Sequence, residues 1–171
     1  MRTLLKPLSF LPAILMMYII FSFSSAEGVD SAALSYKISH TVVMVVDQVG
    51  DFQWTDTTIH YYADKIHYYV RKTAHMTEYA LLAIAVSFPL YVYGMHGLLL
   101  MFVAGVICIG FAATDEYHQL FVAGRSGAVK DVVIDSIGVF IGIIIVRIIG
   151  FIGRMTVFRP KKRKRQTKRY S

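Results

Sequence analysis

The sequence predicts an all-α, polytopic membrane protein with about four transmembrane helices and amphipathic interfacial helices on the outer face. Three observations predict it. Hydrophobic residues make up 56% of the 171-residue chain, too many for an ordinary soluble domain. Four apolar stretches each approach the roughly 20 residues needed to cross a hydrocarbon core of about 30 Å. Charge is also segregated. Of the 18 Lys and Arg, nine fall at or after Arg154, where none of the 11 acids lies, so the body carries −2 and the tail +9. A basic tail can attract nucleic acid or anionic lipid. Directly after a membrane helix the positive-inside rule accounts for it, and no nucleic-acid partner is expected. Four units follow: 1–26, an N-terminal helix; 27–70, an extracytoplasmic amphipathic segment; 71–153, a three-helix membrane core; and 154–171, a basic cytoplasmic tail.

The first helix is expected at about 8–23, after Arg2 and Lys6. A secretory signal ending near Ser24 and Ala26 is the rival reading; a retained helix is favoured, and both put residue 30 outside. From 26 to 70 the chain is too long for a simple loop. Leu34, Ile38, Val42, Val45 and Val46 recur at roughly helical spacing, as do Ile59, Tyr62, Ile66, Tyr69 and Val70. Two amphipathic helices in or near the outer interface are expected, joined by DQVGDFQWTD, with Trp54 at the headgroup level. The next two helices are expected near 73–91 and 97–115, because 79–114 holds no Asp, Glu, Lys or Arg. Pro89, Gly94 and Gly97 mark the turn between them. The fourth begins near Asp131 and runs through VVIDSIGVFIGIIIVRIIGFIG, with Arg147 able to snorkel to the interface. Cys108 stands alone in an apolar run and reads as a buried thiol. Four spans put both termini in the cytoplasm.

This topology gathers the charged residues. The second helix enters from the outer face and the third returns to it, so Arg71, Lys72, His75 and Glu78 share a level with Asp115, Glu116, Gln119, Arg125, Asp131 and Asp135. Arg71, His75 and Glu78 lie on one helical face. Asp131, Asp135, Gly138 and Gly142 lie on another, and the two glycines form a small-xxx-small pair that permits close helix approach. Ionisable groups inside a span are costly unless they pair or line a wet cavity, so Glu78 and Asp135 should face inward, toward Arg71, Lys72 or Arg125. Each residue alone has a plainer reading: Arg71 and Lys72 as interface cations, Asp131 as a helix-start acid, His118 and Lys130 as exposed, GRSG as a tight turn. Together they suggest a polar site. Glu78, His75, Asp115, Glu116 and Asp131 are the acid–base set. Arg71, Lys72, Tyr79, Gln119, Arg125 and Asp135 are the binding set. His75 and Glu78 have metal-ligand spacing but too few companions, and Ser126 lacks a His/Asp order behind it, so neither a metal nor a serine nucleophile is expected, and no cofactor.

Three blocks in this order, VRKTAHMTEYALLAIAV, DEYHQLFVAGRSG and KDVVIDSIGVFIG, resemble the VanZ-like membrane proteins over about 70–150. The resemblance implies a small helical membrane protein of Gram-positive type bacteria, in a family whose founding member is associated with teicoplanin resistance. It supplies no reaction. It points to Arg71, Lys72, His75, Glu78, Tyr79, Asp115, Glu116, Gln119, Phe121, Gly124, Arg125, Asp131, Asp135 and Gly138. Ala123 stands where relatives often have Pro, and Asp135 where many have Asn. The functional expectations are an enzyme acting on an envelope lipid or glycan precursor, with Glu78 or Glu116 as acid or base; a non-catalytic binder of membrane lipid, an anionic headgroup or a wall precursor; and, least favoured, a proton-coupled transporter.

Overall fold

A computed structural model describes residues 5–156. Arg2 and most of the expected basic tail lie outside the described residues. A short 3-10 turn at Lys6–Phe10 leads into α1 (Leu11–Ser24), followed by α2 (Gly28–Gly50), α3 (Asp56–Val92), α4 (Gly97–Gln119) and α5 (Val129–Thr156). No strand occurs among the described residues. The chain is a multi-pass membrane protein: the turn with α1, then α3, α4 and α5 are each long and apolar enough to cross a bilayer.

The second span differs from expectation at its start. It begins at Asp56 rather than near 73, because nothing between Asp56 and Ser87 is Gly or Pro; Thr55 caps it, its hydroxyl accepting the Thr58 N–H at 3.4 Å. Ile59 to Val70 are therefore not a separate interface helix but the first turns of the spanning one. At 37 residues and 1.5 Å per residue, α3 is about 55 Å long, well beyond the hydrocarbon core.

α2 runs back along the first half of α3 as a helical hairpin. Its packed face is Ser35, Ser39 and Val43, set against Ile59 and Ala63. The periodic set Leu34, Ile38, Val42, Val45 and Val46 is instead exposed. The serines permit close packing because their hydroxyls bond back to the carbonyls of Ser31 and Ser35. Trp54, read as a headgroup anchor, packs on the hairpin between Phe52 and Tyr62, with ring centroids 5.0 and 4.9 Å away.

The main core lies where α3, α4, α5 and α1 meet. Tyr79, Leu82, Ala83, Ala104, Cys108, Ala112, Val139 and Ile20 are all buried there. α5 packs on α3 through the two glycines. A Cβ on Gly138 would overlap the Met76 carbonyl, and one on Gly142 the Ala80 carbonyl. Backbone therefore meets backbone, which brings Asp135 and Asp131, one and two turns earlier, against Arg71, Lys72 and His75.

Candidate functional site

A cavity of about 280 Å³ opens at the end of the bundle where α3 is longest. Its lining includes Arg71, Lys72, His75, Glu116, Gln119, Arg125, Asp131 and Asp135. Eight of the eleven expected site residues thus meet on one wall-to-wall space. Asp115 and Tyr79 lie beneath it, 3% and 0% exposed. Glu78 sits behind His75, its Oε2 3.5 Å from Nδ1.

The α4 side is built from residues that hold one another. Gln119 Nε2 donates to Asp115 Oδ2 and Glu116 Oε1, each at 3.3 Å. Tyr79 donates its phenol proton to Asp115 Oδ2 at 3.3 Å. The buried Ser24 hydroxyl faces the other Asp115 oxygen without closing a well-formed hydrogen bond. Glu116 Oε2 accepts the Ala128 N–H at 3.0 Å, so this carboxylate ties the loop after α4 to the start of α5. Gly127 is required in that loop, since a Cβ there would strike the Glu116 carbonyl.

Arg125 belongs to the same construction. Its Nη2 donates to Phe23 O at 2.8 Å, Nε to Ala26 O at 3.1 Å and Nη1 to Gln119 Oε1 at 3.4 Å. The guanidinium thus satisfies carbonyls at the C-terminal end of α1, where a cation is favoured by orphan acceptors and by the helix dipole. Burial, with the nearby Arg71 charge second, lowers its pKa below the usual arginine value; arginine nonetheless stays charged in proteins. The loop is also fastened by the Gly28 N–H to Ala123 O, 3.0 Å, and Gly124 turns there with φ +70. His118, read as merely exposed, stacks on Phe21 with centroids 4.6 Å apart and lies 3.3 Å from the Ser25 hydroxyl.

The α3 and α5 side is more open. Lys72 Nζ and Asp131 Oδ1 form a 2.6 Å ion pair across the two helices. Arg71 and Asp135 line the cavity with no hydrogen bond or ion pair among the described residues, although Asp135 is only 2% exposed. Among the described residues His75 Nε2 has no hydrogen-bond partner. Tyr68, Ser126 and Lys130 complete the rim. Of these, Tyr68 escaped the sequence reading; its position three residues before Arg71, on the same helical face, is the signal that could have found it. Among the described residues no group of three or more His, Cys, Asp or Glu is placed to hold one metal ion.

Spanning helices that converge on a partly neutralised polar cavity define a small polytopic membrane protein. The chain belongs to the VanZ/LLP1 family, whose family model matches residues 9–150. That match takes in α1 and the α2–α3 hairpin as well as the three motif blocks. No curated protein and no solved structure matches the chain.

Proposed function

We propose that the protein captures the anionic headgroup of an envelope lipid or lipid-linked wall precursor in an outward-facing cavity, and that this capture underlies protection against teicoplanin-type lipoglycopeptides. The observation that carries the reading is an uncommitted cation. Arg71 lines the cavity without a carboxylate partner among the described residues, whereas Lys72 is paired with Asp131 and Arg125 is bonded to three oxygens. A guanidinium presents paired donors that match a phosphate or carboxylate. The volume of about 280 Å³ admits a headgroup, not a whole lipid. The outward placement rests on the charge of Arg2, Lys6 and the tail.

A second reading, acid–base chemistry on the bound headgroup, has its own support. Glu78 Oε2 lies 3.5 Å from His75 Nδ1, and His75 lines the cavity; an imidazole beside a carboxylate can serve as a general base. Asp135 would face the same ligand.

The test is teicoplanin susceptibility of a sensitive Gram-positive host that expresses wild type, Arg71→Ala or His75→Gln at matched membrane levels. Wild type should protect and Arg71→Ala should not. Retained protection by His75→Gln favours capture, and its loss favours chemistry. Full protection by Arg71→Ala would end the headgroup reading, and an unprotected wild-type strain would end the antibiotic role.

A further inference from the structure

We propose a second ligand site at the opposite membrane boundary, a seat for one anionic phospholipid with its phosphate at Arg147 and an acyl chain in the groove between α4 and α5. Arg147 follows Asp131 by 16 positions on α5, which is about 24 Å along a helix. The separation approaches a hydrocarbon thickness of about 30 Å, so the two charged ends of α5 face opposite boundaries.

Arg147 lines a small cavity of about 130 Å³ together with Tyr91, His96 and Gly97. It has no hydrogen bond or ion pair among the described residues. The His96 ring is fixed beside it, with Nδ1 2.6 Å from Gly94 O and an edge contact to Tyr91 at 4.8 Å. A snorkelling arginine would need nothing more than headgroup water. What sets this one apart is the space next to it. A second cavity, about 490 Å³, runs between α4 and α5 and is walled by Phe102, Gly105, Ile109, Phe140 and other apolar side chains. Met101 and Ile143 line both cavities, so they adjoin. The apolar groove shares no lining residue with the Arg71 cavity; its charged end is Arg147.

A ligand that fits both must be anionic at one end and aliphatic at the other. It must also reach a groove on two membrane-spanning helices, where the surrounding phase is lipid. An anionic phospholipid meets all three conditions. Gly105 keeps the groove deep. A Cβ there meets only Ile143 Cδ1, at an ordinary 3.6 Å, so a larger side chain fills the groove without parting the helices.

The experiment is native mass spectrometry of the full-length protein in mild detergent, titrated with dioleoyl phosphatidylglycerol or dioleoyl phosphatidylcholine. Salt is raised to screen the basic tail. Every protein compared carries Arg71→Ala, so a headgroup held in the first cavity does not enter the count. This parent should retain one phosphatidylglycerol with about fivefold preference over phosphatidylcholine, the scale of one cation at an anionic surface. Adding Arg147→Gln should bring that ratio near one. Adding Gly105→Leu should lower retention of both lipids, although it leaves every other charge in place. Equal retention of the two lipids by the parent would overturn the proposal, as would an undiminished preference with Arg147→Gln or undiminished retention with Gly105→Leu.

Discussion

The two walls of the Arg71 cavity are made of similar residues and are used differently. On the α4 wall, Asp115, Glu116, Gln119 and Arg125 bond to one another, to Tyr79 and to the backbone at Phe23, Ala26 and Ala128. On the α3–α5 wall, Lys72 and Asp131 neutralise each other, while Arg71, His75 and Asp135 line the cavity, Arg71 and Asp135 with no hydrogen bond or ion pair among the described residues. Polar groups far from bulk water must be satisfied. Where the protein satisfies them itself they are architecture, and where it does not they are available to a ligand. Stability should therefore follow one wall and function the other.

Four substitutions break or sharpen this contrast, read as shifts in the thermal unfolding of purified protein in detergent. Gly138→Val should cost most, about 3 kcal/mol, because its side chain must displace the Met76 carbonyl and so parts the helices that both walls rest on. Arg125→Ala comes next, at about 2 kcal/mol, since it strands the Ala26 carbonyl and leaves Phe23 O with only the Ala26 N–H; an unchanged midpoint would show that Arg125 is not architecture. Glu116→Gln should cost about 1 kcal/mol, because an amide oxygen still accepts the Ala128 N–H. Arg71→Ala should stay within about 0.5 kcal/mol of wild type while abolishing protection in the susceptibility assay. A destabilisation by Arg71→Ala as large as that of Arg125→Ala would erase the difference between the walls.

Much of this was legible in the chain. The four spans follow from apolar length, and the polar layer follows from connectivity once they are placed. The close approach of α5 to α3 follows from Gly138 and Gly142 at a four-residue spacing. Arg125 shows where such reading stops. Its acceptors, Phe23 and Ala26, lie about a hundred residues earlier, and backbone carbonyls leave no mark in a side-chain pattern. It was therefore expected to meet a ligand. The same limit explains α2: Leu34, Ile38 and Val42 gave the periodicity, but the hairpin packs through Ser35, Ser39 and Val43, since small residues permit closer approach than large ones. The length of α3 was obscured for another reason. Charge at Arg71 and Lys72 marks where lipid ends, and a helix need not end there.

That long helix also has a mechanical consequence. Were α3 to tilt about the glycine contact at Met76, Asp56 would lie 20 positions from the fulcrum and Arg71 five, or about 30 Å and 8 Å along the axis. As a rigid rod, α3 is a lever of roughly four to one between the hairpin tip and the cavity. A swing of about 4 Å at the tip moves Arg71 by about 1 Å, a displacement large enough to make or break a hydrogen bond.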